Sequence, residues 1–217
     1  MVSFLVEHKG FWSPARKRSV YLGILLILLS IMIQITLGHY SERRAVLAPY
    51  ANDLFLDNLP VVNLDFMIVG GAIVLWVLSI WLLVTRPRYL LFGIKAIALY
   101  IICRSFFITL THLGPYPRGF LPGPNNIGYG FYQLFTFQGN YFFSGHTGFP
   151  FLMAMVFWDN KFWRRFFLAA AVVFGAAVLL AHVHYSIDVF AAPFIVYGVY
   201  VITQKVFPED FAVLEGA

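Results

Sequence analysis

Charge is what this sequence has least of: only 12% of its 217 residues are Asp, Glu, Lys or Arg. A soluble domain carries about 25%, so a surface facing water along the whole chain is excluded. Cysteine is nearly absent as well, and with Cys103 alone no intramolecular disulfide can form. Acidic residues number 10, and apart from Asp188 none accompanies the histidines in the clusters that hold metal ions. No metal and no other cofactor is expected. Internal repeats and a disordered tail are also missing.

What the chain has instead is apolar bulk, with 60% hydrophobic and 19% aromatic residues. That composition is one of an integral membrane protein, in which rings fill lipid-facing surface and mark headgroup level. The net charge of +5 does not indicate nucleic acid, because the basic residues sit between apolar runs. Crossing roughly 30 Å of hydrocarbon takes about 20 helical residues. Suitable runs lie near 20–38, 66–84, 89–113, 142–158, 166–183 and 185–206. They predict an all-α protein, a single six-helix transmembrane bundle over 1–217.

With a cytoplasmic N-terminus, Lys9, Arg16, Lys17, Arg18, Arg86, Arg88, Lys161, Arg164, Arg165 and Lys205 fall inside, and Arg43, Arg44 and Arg118 outside. This is the positive-inside pattern, and it places both termini in the cytoplasm. The basic start and first apolar stretch read as a retained helix, since that stretch is too long for a secretory signal and Pro49 spoils the cleavage site ending at Ala48. Segment 39–65, with Asp53, Asp57, Asp65, Pro49 and Pro60, is an outer loop. Segment 114–141, rich in Gly, Pro and aromatics, suits a lid. Trp76, Trp81, Trp158 and Trp163 read as interface anchors on the cytoplasmic side.

Alternating helix direction brings the start of the fourth span, the end of the fifth and the start of the sixth to one outer surface. There Ser144-Gly145-His146-Thr147 meets His182-Val183-His184-Tyr185-Ser186-Ile187-Asp188. The spacing of His184 and Asp188 puts them one turn apart on a shared helical face. A carboxylate so placed holds one imidazole nitrogen protonated and leaves the other free to attack. Histidine suits phosphorus, because it is largely neutral near pH 7 and its phosphoramidate passes the group on. The bland alternative is a His–Asp pair that satisfies itself while packing helices. Ionisable groups at membrane depth nevertheless default to function, and His146 adds a second imidazole.

Ser144 suits an N-cap, and Gly145 lets backbone approach a ligand. A helix start there offers N–H groups to phosphate oxygens, and His146 can protonate a departing alkoxide and later deprotonate an alcohol. Arg104, deep in the third span, reads as a phosphate anchor or as a counter-charge for Asp188. Lys95, about 14 Å lower at 1.5 Å per residue, is expected to snorkel toward the cytoplasm. His182 is a candidate partner of the site, His112 either an interface residue or a substrate contact, and His8 and His39 surface residues. The expected catalytic set is therefore His146, His184 and Asp188, and the substrate-binding set Arg104, Ser144, Gly145, Thr147, Tyr185 and His182.

These stretches resemble the sphingomyelin synthase branch of the type 2 phosphatidic acid phosphatase (PAP2) superfamily. The likeness rests on Asp53-Leu54-Phe55-Leu56-Asp57, on Arg104 and Thr111 before a Pro-containing turn, on Tyr141 to Thr147, and on Leu180 to Val189. The resemblance implies a six-helix bundle with His184 as nucleophile, Asp188 as its orienting partner and His146 as acid and base. It also implies transfer of a phospholipid headgroup to ceramide or diacylglycerol. The superfamily's lipid phosphatases add a Lys and an Arg-Pro pair, and a Ser-Arg before the nucleophile. Here Ser79 stands for that Lys and Ala177-Val178 for Ser-Arg. A diester phosphate carries one charge where a monoester carries nearly two, so the thinner set of cations suits a diester. Asn140 and Val183 stand where the synthases carry acidic residues, which argues against choline specificity.

Three functions stay open at this level: headgroup transferase, lipid phosphatase or phospholipase C-type hydrolase with water as acceptor, and non-catalytic lipid binding or scrambling. The expected partners are a phospholipid donor, a lipid alcohol or water, and membrane lipids, with room for a homo-oligomer and no nucleic acid. The site would face the non-cytoplasmic side of a bacterial inner membrane, or of a Golgi or plasma membrane.

Overall fold

The computed structural model describes residues 10–117, 119, 129–133, 136–137 and 141–216. His8, Lys9, Arg118, Asn140 and much of the 114–141 lid segment lie outside the described residues. The helices are α1 (Pro14–Ala45), α2 (Phe66–Thr85), α3 (Pro87–Leu110), α4 (Tyr129–Gln133), α5 (Gly145–Val156), α6 (Lys161–Leu180), α7 (Ser186–Val206) and α8 (Pro208–Glu215). Among the described residues there is no strand.

Local chemistry sets most helix starts. Ser13 accepts from the Arg16 N–H at 3.3 Å to cap α1, and Asn160 accepts from the Trp163 N–H at 3.2 Å to cap α6. Pro14, Pro87 and Pro208 occupy the first turns of α1, α3 and α8, where a missing N–H costs nothing. The first turn of α2, Phe66–Gly71, is wound as a π-helix.

Five helices are long and apolar enough to cross a bilayer, α1, α2, α3, α6 and α7, as befits a multi-pass membrane protein. The stretch expected as the fourth span, 142–158, is the shorter α5. Its 12 residues extend about 18 Å, less than the hydrocarbon thickness, and Phe157 closes it. It is also the most enclosed helix, with Leu152, Met153 and Ala154 fully buried. It packs on α6 and α7, while α1 lies chiefly against α3. The helices approach closely at Gly23, where any Cβ would collide with Ile94. The far side of α1 exposes Tyr21, Leu25, Leu28 and Met32, a face suited to lipid.

At the end of the bundle away from His184, Lys95 does not snorkel. Its side chain is 2% exposed and forms an ion pair with Asp210 of α8. Ser19 of α1 donates to the other Asp210 oxygen at 2.6 Å, and the ammonium lies over the Phe207 ring at 4.9 Å. Sequence spacing put Lys95 out of reach of carboxylates because its partner lies 115 positions away. The network ties three helices together. Lys95→Met should lower stability by about 3–5 kcal/mol, the usual cost of stranding one member of a buried pair. Lys95→Met with Asp210→Leu should recover most of that loss, as read from melting in detergent.

Candidate active site

The site forms where the start of α7 is pinned from several directions. Asp53, in the loop after α1, accepts from the Ser186 N–H at 2.7 Å and from the Phe55 and Leu56 N–H groups at 2.9 and 3.2 Å. Burial would raise its carboxyl pKa, but these backbone donors outweigh burial and hold it below the ordinary value. Tyr185 donates through its hydroxyl to the Gly114 carbonyl at 2.8 Å and accepts from the Ala51 N–H at 3.3 Å. The Ser144 N–H donates to the Asp188 carbonyl at 3.0 Å, joining α5 to α7. Two loops and α5 thus converge on one turn of helix.

On that turn His184 Nδ1 lies 3.0 Å from the Tyr141 carbonyl and 3.4 Å from Asp188 Oδ2. A carbonyl only accepts, so Nδ1 carries the proton and Nε2 a lone pair. No described residue hydrogen-bonds Nε2. The Asp188 carboxylate, fully buried, accepts through Oδ2 from the Tyr185 N–H at 2.9 Å, and Oδ1 has no hydrogen bond. The orienting role expected of Asp188 is therefore shared, with the nearer acceptor a backbone carbonyl. Burial and then the positive Arg104 push the His184 pKa from the usual 6.5 down to about 3, against the opposing Tyr141 hydrogen bond.

His146 stands in the first turn of α5, its ring centroid 6.0 Å from that of His184. Its Nε2 lies 3.1 Å from the Ile68 carbonyl and 3.2 Å from Tyr132 Oη. Phe174 stacks on the ring at 6.1 Å. The same carbonyl argument assigns the proton of neutral His146 to Nε2. Ile68 belongs to the π-wound turn, a distortion that often accompanies functional sites. Arg104 Nε donates to the Phe143 carbonyl at 2.9 Å. Its positive charge also acts on Asp188, the counter-charge influence expected of it.

Arg104, Gly145, His146 and His184 line one cavity of about 670 Å³, which continues past Tyr100, Ile97 and Leu75 toward Leu83, Leu90 and Ile24 at the other end of the bundle. Its wall is overwhelmingly apolar. Trp76, expected as a cytoplasmic interface anchor, lines this cavity and stacks on Tyr132 at 6.1 Å with an interplanar angle of 13°.

The remaining expected contacts lie off the cavity wall. Ser144 is fully buried and caps α5 by accepting from the Thr147 N–H at 3.4 Å, and Thr147 Oγ1 donates to the same oxygen at 3.4 Å. Tyr185 is occupied by the loops, and Asp188 sits behind His184. His182 follows α6 with φ 54°, in the left-handed region. Its N–H reaches the Leu179 carbonyl at 3.0 Å and the Val183 N–H the Val178 carbonyl at 3.0 Å, the paired bonds that end a helix in a Schellman motif. His182 packs edge-on to Tyr116 at 5.3 Å. His112, similarly edge-on to Tyr40, is not on the cavity wall.

An imidazole with a lone pair on Nε2, a second imidazole and a guanidinium thus stand together at the head of one apolar cavity. Residues 139–205 match the family model described as PAP2 superfamily C-terminal, a stretch holding His146, His184 and Asp188. The match supports PAP2-superfamily membership, and members of that superfamily are generally phosphatases or phosphotransferases acting on lipid phosphates. No curated protein and no solved structure matches the chain.

Two outcomes follow. His182→Val should cost about 1–2 kcal/mol, because a branched side chain is disfavoured in the left-handed region, while His182→Asn, which tolerates it, should keep the fold and the activity; melting and turnover read both. For His184 the folded pKa lies below the unfolded one, so between pH 6.5 and about 3 the unfolded chain binds a proton that the native site refuses. Stability should therefore fall as pH drops through that window, and His184→Gln should flatten the slope of melting temperature against pH.

Proposed function

We propose that this protein is a phospholipid headgroup transferase that works by double displacement through a phosphohistidine on His184. The observation that carries the reading is a single lone pair, His184 Nε2, set at the head of an apolar cavity with one guanidinium on its wall. A lipid tail fits the apolar wall, and a diester phosphate, with one negative charge, matches the lone Arg104 better than a monoester dianion does.

In the first half-reaction His184 Nε2 attacks phosphorus and the bond to the glycerol oxygen breaks. His146, neutral in the empty site, takes a proton on Nδ1 as the anionic phosphate settles beside it and gives that proton to the departing alkoxide, while Nε2–H stays with Ile68. In the second, neutral His146 takes the proton of an incoming lipid alcohol as that oxygen attacks the phosphohistidine. Asp188 and the Tyr141 carbonyl keep His184 in the reactive tautomer throughout. Ceramide or diacylglycerol is the acceptor class this reading favours. The bundle crosses the membrane six times, α5 being the short fourth crossing, and the site opens on the non-cytoplasmic side.

Purified protein given headgroup-labelled phospholipid and ceramide or diacylglycerol should move the label onto a new lipid. Label appearing in water would assign hydrolysis instead, and an intact donor would leave lipid binding or scrambling. His184→Ala should cut turnover on the order of 10³-fold or more with melting unchanged, and acid-labile label should accumulate on the parent and be lost from the variant.

A further inference from the structure

The Tyr132 hydroxyl has a donor that His146 does not take up. His146 Nε2 must bear its proton, since the Ile68 carbonyl 3.1 Å away can only accept. Tyr132 Oη, 3.2 Å from the same nitrogen, is consequently an acceptor in that contact. Its own O–H is then left to the Thr136 hydroxyl, which hydrogen-bonds the phenol, or to a ligand in the cavity. The residue is 7% exposed, so bulk water does not readily substitute. Thr136 already gives its own proton to the Tyr132 carbonyl, so the phenol donor can pass to a ligand oxygen that carries charge, the stronger acceptor.

The surroundings say which ligand. Tyr132 lines the cavity that His146, His184 and Arg104 share. Its ring is clamped by the Trp76 face on one side, and its backbone carbonyl accepts from Thr136 Oγ1 at 2.9 Å. The hydroxyl is thereby held in place before anything binds, the condition under which a donor stabilises developing charge most effectively.

We infer that Tyr132 is a further catalytic residue, donating a hydrogen bond from its hydroxyl to a non-bridging phosphoryl oxygen as the headgroup passes to and from His184. The inference rests on the transferase reading. As the Nε2–phosphorus bond forms and the phosphorus–alkoxide bond breaks, negative charge gathers on the non-bridging oxygens. Tyr132 keeps its proton throughout and meets one of those oxygens, while Arg104 supplies the positive charge. Burial pushes the phenol pKa well above its ordinary value against the opposing pull of Arg104, so the hydroxyl remains a donor at any working pH. A neutral donor in this position also fits a site with few cations.

The test compares the parent with Tyr132→Phe on two donors of one headgroup, phosphatidylethanolamine and p-nitrophenyl phosphoethanolamine, the second of which has a leaving group that needs no proton. Phenylalanine keeps the ring against Trp76, and an unchanged melting temperature confirms the fold. The expected result is a kcat about 10²- to 10³-fold lower on both donors, with KM little changed and the pH profile of the same shape. A defect on the phospholipid that disappears with the activated donor would make Tyr132 a proton relay to His146 and overturn the inference. A rate within twofold of the parent on both would overturn it too. A parent that turns over neither donor would defeat the transferase reading itself, a result separable from either of these.

Discussion

Two backbone carbonyls, those of Tyr141 and Ile68, decide which nitrogen of each site imidazole carries its proton. In water a neutral histidine exchanges tautomers freely, and a nucleophile would spend part of its time with the wrong nitrogen exposed. In a buried site the cost of leaving a carbonyl or an N–H without a partner removes that freedom. The rest of the arrangement serves to keep those carbonyls where they are. Tyr141 sits just before the cap of α5, and that cap is bonded to α7 through the Ser144 N–H and the Asp188 carbonyl. Ile68 lies in the π-wound start of α2. Each imidazole thus takes its orientation from backbone distant from it in sequence.

The electrostatics follow from the same economy. Arg104 is the cation on the cavity wall, and its Nε is fixed by the Phe143 carbonyl, so the guanidinium plane cannot swing away from Gly145. A charge held this way in an apolar enclosure acts more strongly on a phosphate than one in solvent, which lets the site work with fewer basic residues.

Much of this was legible in the residues, and the illegible part has a physical pattern. Apolar run lengths located the five long helices, and the contact of His184 with Asp188 was foreseen, although α7 begins at Ser186 and His184 stands just before it instead of on its face. The run over 142–158 overstated α5, since hydrophobicity there reflects burial against other helices as much as lipid. Backbone acceptors such as Ile68 leave no mark in side-chain chemistry, so the carbonyl partners of both histidines were invisible. Tyr132 and Trp76 were two aromatics among many, and only the fold distinguishes a ring on the cavity from one in the membrane. His182 looked chemical because histidine usually is, yet its backbone angle ends α6. Asp53 was visible as an acidic loop residue but not as the cap that secures α7.

The salt bridge between Lys95 and Asp210 bears on how the protein is made. α3 enters the membrane while residue 210 is still to be translated, so during that interval the ammonium lies in hydrocarbon or is kept near the translocation machinery with water for company. Synthesis runs at about 5–20 residues per second, and the intervening stretch of 115 positions therefore corresponds to roughly 6–23 seconds. Ser19 of α1, which donates to Asp210 at 2.6 Å, gains that partner only then. The end of the bundle opposite His184 is accordingly tied together last.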